Sequence, residues 1–278
     1  MNRYLKLLHY ELFRIRKLYA ALFALTLLLQ FAGIFLFAHS YLNQVREAMF
    51  TESISAADYA AKYGPTSFYR YTTGSLFFTG PIAICASALL LYVFLIWYRD
   101  WLGKNMFIYR LLMIPASRMS VYLAKLTAIL LLVLGLVAFE LLILPLQNAA
   151  FNGYVPSDLR YSFSIPDIVA THPLLKILVP NRIGDFLLYY GAGLAGVIVV
   201  FTAILFERSF RFKGAIGAVV YGAATVLIFV LPAFVAESAF PNYLYPRELW
   251  WMELAIGFLI GCGSLGLSSY LIKNKVTV

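Results

Sequence analysis

A single carboxylate interrupts the apolar run LLVLGLVAFELLILPL, and it belongs to Glu140. An ionisable side chain deep in such a run costs about 3 kcal/mol in a bilayer unless it is paired or wetted. Two readings stay open for it: a water-filled substrate path or outer gate, or a structural acid that is bonded to a neighbouring helix or protonated. A second concentration of chemistry is the stretch RDWLGKNMFIYRLLMIPASRMSVYLAKL. There Arg99, Lys104, Arg110, Arg118 and Lys125 are set against one acid, Asp100. Other chemistries are excluded by what their sites require. A P-loop needs G-x-x-x-x-G-K-[ST], but Gly103-Lys104 has Tyr98 in place of the first glycine and Asn105 in place of the hydroxyl. His-Glu-x-x-His and paired-cysteine metal motifs are absent, so no metal is expected. Gly263-Ser264 in a late apolar segment has no histidine after His172 to serve as its base, so the chain is not expected to be an enzyme. Cys85 and Cys262 both fall in apolar segments and read as free buried thiols.

The elements that must position these residues follow from composition. Of the 278 residues 62% are hydrophobic and 13% charged, against about 25% charged for a soluble domain. There is too little polar surface to clothe the apolar material in water. The expected fold is all-α: a single polytopic membrane domain over 1–278 with six transmembrane helices, at about 19–38, 76–97, 120–146, 184–206, 214–235 and 250–272. Before them, Leu5, Leu8, Leu12 and Ile15 recur on one helical face among Arg3, Lys6, Arg14, Arg16 and Lys17, predicting an interfacial amphipathic helix over 1–18 that is retained as a signal-anchor. Between spans two and three, Met106, Phe107, Leu111 and Leu112 alternate with Tyr109 and Arg110, predicting a short amphipathic helix that Pro115 ends. Of the 22 Lys and Arg, fifteen fall on the side of both termini and seven on the other. Both termini are therefore expected in the cytoplasm, as is the basic loop. Gly257-x-x-x-Gly261, and Gly214, Ala218 and Gly222 at four-residue intervals, are candidate helix-packing ridges.

The order Arg110, Leu111, Leu112, Pro115, Ser117, Arg118, Tyr122, Lys125, Leu126 resembles the Leu-Pro-x-Ser-Arg motif, followed by Lys-Leu, of the transmembrane subunits of ABC-2-type ABC transporters. The six-span layout extends this resemblance to the whole chain. The glutamate-rich turn that many relatives carry before this motif is missing, with Asp100 alone in its place. The resemblance implies a permease subunit exporting a hydrophobic or amphipathic substrate such as a peptide, antibiotic or lipid. Phe107, Tyr109, Arg110, Leu111 and Leu112 would form the coupling helix on which a separate ATPase subunit docks, within the 99–118 loop. Leu5, Leu8, Leu12, Arg14 and Arg16 would belong to the connecting helix. Two ATPases, binding ATP and Mg, and a second permease subunit, identical or homologous, would complete the transporter in the plasma membrane. No cofactor is implied in this chain itself and no nucleic acid as partner. The competing class is an ion-coupled secondary transporter or channel subunit.

Overall fold

The computed structural model describes residues 3–101, 117–238 and 245–275. Among them helices dominate: α1 (Arg3–Glu52), α2 (Ala56–Tyr63), α3 (Phe68–Gly74), α4 (Leu76–Trp101), α5 (Arg118–Tyr154), α6 (Ile165–Thr171), α7 (Pro173–Leu178), α8 (Ile183–Ser238) and α9 (Pro246–Asn274). Among the described residues, extended pairing is limited to one isolated bridge, Thr66 with Arg160. Among the described residues, six helical stretches are long and apolar enough to cross a membrane: Arg3–Glu52, Leu76–Trp101, Arg118–Tyr154, Ile183–Phe210, Phe212–Ala236 and Arg247–Asn274. The chain is a helical, multi-pass membrane protein.

One helix, α1, differs from its sequence expectation. Helical hydrogen bonding runs unbroken from Arg3 to Glu52, where a separate helix over 1–18 and a loop after 38 were expected. No proline interrupts this stretch and Gly33 is its one glycine, so nothing local ends the helix. Its 50 residues measure about 75 Å along the axis, well beyond the about 30 Å of hydrocarbon. The assigned helix α8, by contrast, doubles back. The Phe206 and Tyr221 rings lie 5.5 Å apart, although fifteen helical residues would separate them by about 22 Å. Gly214 sits at this reversal: a Cβ there would collide with the Phe206 carbonyl oxygen and lie 2.9 Å from that of Glu207. The close approach therefore requires glycine.

The chain forms two compact units. One comprises residues 1–14, 89–131 and 182–278, the other 15–88 and 132–181. In the first, α9 packs along both arms of α8. Gly261 faces Ala195 and a Cβ at Gly184 would touch Trp250, so α9 runs parallel to the first arm; Gly257 faces Phe229 on the second. Hydroxyls stitch these contacts. Thr202 and Ser268 lie 2.8 Å apart, and Tyr221 and Ser264 2.5 Å apart. Such pairs hold helices together where apolar burial gives no preference over lipid.

The second unit contains a surprise. The two connecting segments after α1 and α5, which read as separate loops, share one core. Tyr41, Val45, Tyr59, Phe68, Tyr71, Phe151, Val155, Leu159, Ile168, Val169 and Leu175 are all buried in it. Thr66 and Tyr161 lock the segments together: the Thr66 N–H donates to the Leu159 carbonyl at 2.9 Å and the Tyr161 N–H to the Thr66 carbonyl at 2.7 Å. Local sequence starts each short helix. Ser55 and Asp58 form a reciprocal capping box on α2, Ser67 caps α3 and Ser164 caps α6.

Candidate functional site

In the first unit, five charged side chains form an alternating chain at the end of α4. Arg14 donates to Asp100 Oδ1 at 2.6 Å; Lys125 donates to Asp100 Oδ2 at 2.5 Å and to Glu11 Oε1 at 2.7 Å; Arg99 donates to Glu11 Oε2 at 3.1 Å. The order is plus, minus, plus, minus, plus. Its third ammonium hydrogen carries Lys125 to the Ile96 carbonyl at 2.8 Å, so all three donors of this fully buried amine are used. Helical geometry explains the fork. Arg99 and Asp100 are neighbours about 100° apart around α4, so one turns to Glu11 while the other meets Arg14 and Lys125. Glu11 and Arg14, three apart on α1, share a face with Leu7 and Ile15, which are buried beside them.

Aromatic rings extend this hub. Lys125 Nζ stands 5.3 Å from the Trp97 ring centre, and Trp97 meets Phe201 edge-on at 5.5 Å. On the neighbouring turn Tyr98 donates to Glu207, and Arg208 lies over both the Tyr98 and Trp101 rings. The last two turns of α4 are thus gripped by α1, α5 and α8. Arg118, at the start of α5, donates to the Ile272 carbonyl at 3.0 Å and ties α5 to α9.

In the second unit Glu140 is 6% exposed and belongs to a different polar group. Gln30 Nε2 donates to Glu140 Oε1 at 2.9 Å, and Gln147 Nε2 donates to Gln30 Oε1 at 2.7 Å. Both glutamines are fully buried. Glu140 and Gln147 are two turns apart on α5, and the single amide of Gln30 spans them. Tyr71 donates to the Gln30 main-chain carbonyl at 2.7 Å. A Cβ at Gly33 would lie 2.7 Å from the Tyr71 hydroxyl and collide with Phe77, so glycine makes room for this contact. Burial pushes the Tyr71 phenol well above its ordinary range, and the nearby Glu140 adds to the effect.

His172 is the one histidine built into a core, at 1% exposure. Its Nδ1 accepts from the N–H groups of Leu174 and Leu175 at 3.2 and 3.3 Å, capping α7. Its Nε2 lies 3.1 Å from the Thr72 carbonyl. With Nδ1 accepting, the ring hydrogen must be on Nε2 and the ring neutral. Burial pushes its pKa down, partly offset by the bond to Thr72.

The remaining sequence candidates are dispersed. Phe107, Tyr109, Arg110, Leu111 and Leu112 lie outside the described residues. Leu5 is 48% exposed and Leu8 and Leu12 half-buried, while the buried face of α1 carries Leu7, Glu11 and Ile15. Arg16 is exposed, whereas Arg14 belongs to the hub. Gly257 and Gly261 face Phe229 and Ala195 of the same chain, Gly214 serves the reversal of α8, and Gly222 has open space beside it. Ser264 is committed to the Ile260 carbonyl at 2.6 Å and to Tyr221. Cys85 is buried as expected, but Cys262 is exposed on the outer face of α9, because a cysteine in a lipid-facing apolar helix needs no protein cover.

Sequence reasoning missed Glu11, Lys125 and Asp100 as a unit. Their signal was isolation: Glu11 is the sole acid before Glu47, and Asp100 the sole acid between Asp58 and Glu140. Among the described residues no cluster of histidine, cysteine and acids fits a metal ion. No protein-family model, curated protein or solved structure matches the chain.

Proposed function

We propose that this chain is the membrane subunit of an ATP-driven transporter of the ABC-2 type, exporting a hydrophobic or amphipathic molecule. A separate ATPase, holding ATP and Mg, docks on the segment between α4 and α5. The observation that carries the reading is the ionic hub. It is built from the two helix ends that bracket that segment, Arg99 and Asp100 before it and Lys125 after it, and it binds them to α1. A push on the segment meets an ion-paired anchor rather than a frayed helix end. The matching residues of the resemblance support this, since Tyr122 and Lys125 are fully buried at the hub and Arg118 is bonded to α9. The fifteen-to-seven distribution of cations supports a plasma-membrane protein with both termini and the docking segment in the cytoplasm.

The apolar side chains Phe107, Leu111 and Leu112 give the segment a surface suited to a protein cleft, and Arg110 a fork-shaped donor beside them. Phe107→Ala and Arg110→Glu are expected to leave a folded membrane subunit that loses ATPase association or stimulation in detergent, where no anionic bilayer competes. Unchanged co-purification and unchanged substrate-stimulated hydrolysis in both variants would remove the docking assignment.

A further inference from the structure

We infer that Glu140, held by Gln30 and Gln147, is a proton-binding site within the membrane helices. The hydrogen bonds have one direction. Gln147 donates to Gln30 at 2.7 Å and Gln30 donates to Glu140 at 2.9 Å, so the dipoles of two amides point at the carboxyl group. Gln30 Nε2 also donates to the Phe78 carbonyl at 3.3 Å, which fixes which end of its amide faces Glu140.

An amide chain supports a charge without neutralising it. Among the described residues no cation pairs with Glu140, whereas every other acid as buried as this one, Glu11 and Asp100, has two. The chain also ends open: Gln147 Oε1 is buried with no hydrogen-bond partner among the described residues. A fully satisfied structural network would close both ends, because an unmet buried acceptor costs about 1–3 kcal/mol. A hydrated cation or an amine would need room among these packed side chains, and a proton needs none.

The step is a simple proton transfer. A hydronium ion gives its proton to Glu140 Oε2: one of its O–H bonds breaks and leaves water, an O–H bond forms on the carboxyl group and the carboxylate becomes a neutral acid; release is the reverse, and no oxidation state changes. The titratable groups nearest the site are Tyr71 of α3 and Cys85 of α4. Tyr71 is committed to the Gln30 carbonyl and Cys85 lies 3.5 Å from the Thr26 hydroxyl. Loading the site removes the charge from the seam between α1, α4 and α5; unloading restores it.

The test is pH-difference infrared spectroscopy on the purified full chain in lipid nanodiscs, which needs neither an ATPase nor a known substrate. The wild type is expected to show a carboxylic-acid C=O band that appears and disappears with pH, and Glu140→Gln to lack it. Glu140→Asp, a second assignment should the glutamine variant misfold, is expected to move the band. Gln30→Leu is expected to shift it to higher frequency, since a carboxyl group without its amide partner has a stronger C=O bond; Gln147→Leu is expected to shift it less, in the same direction. A band that Glu140 substitutions leave unchanged, or one present at every pH at which the protein stays folded, would overturn the proposal. So would a band insensitive to loss of both glutamines.

Discussion

Asp100 and Glu140 are both acids sealed among apolar helices, yet their surroundings differ in kind. Asp100 touches two cations, and the Lys125 between it and Glu11 uses every hydrogen it has. Among the described residues, Glu140 has a single hydrogen-bond partner, an amide, which leans in turn on another amide with an open end. Matched charges in a dry site lock helices in one arrangement, because any displacement strands a charge. An acid among neutral dipoles can change its own charge instead. The difference separates an anchor from a switch.

The largest effect is expected at the anchor. Lys125→Met removes the cation that Glu11 and Asp100 share and leaves each acid with a single arginine, and breaking a buried pair in this way costs about 3–5 kcal/mol. Thermal unfolding in detergent should show a much less stable protein, whereas Glu140→Gln, which keeps its partner and removes only the charge, should be close to wild type. Equal losses in both variants would erase the contrast.

An intermediate effect is expected at His172. Its neutral ring caps α7 with Nδ1, so protonation sets a third N–H against those of Leu174 and Leu175. Because its folded pKa lies below the ordinary value, the stability it contributes is present above about pH 6.5 and is lost as pH falls from there through the folded value. Limited proteolysis of the 147–182 segment should accelerate on acidification, and His172→Leu should remove that dependence. A wild type whose cleavage rate is flat across this range would show that the cap is dispensable.

The smallest effect is expected at the exposed end of the hub. The Arg99 side chain is 30% exposed, so solvent screens its pairing and Arg99→Gln should cost no more than about 1 kcal/mol. A loss as large as that of Lys125→Met would mean that the hub acts as one indivisible charge network.

The six apolar stretches were legible because length and hydrophobicity decide them residue by residue. Glu140 stood out for the same reason, as a charge in an apolar run. The hub did not, because its members lie far apart in sequence: Lys125 is 114 positions from Glu11. Counting cations by side treated each as a topology signal and gave no hint that three of them share two acids. The shared core of the connecting segments was hidden likewise, since Tyr41 and Leu159 meet only in three dimensions. The continuity of α1 past Ala38 was missed because polar residues such as Asn43 and Gln44 read as loop, though on an exposed helical face they cost little.

The proposed function has an ATPase move this chain through the segment between α4 and α5. The most direct measurement is to isolate the untagged complex from its native membrane and identify its subunits by mass spectrometry. An ATPase is expected in stoichiometric amount, with hydrolysis that responds to substrate in the intact complex and not in one bearing Arg110→Glu. A chain that purifies without an ATPase and drives transport from an ion gradient by itself would contradict it.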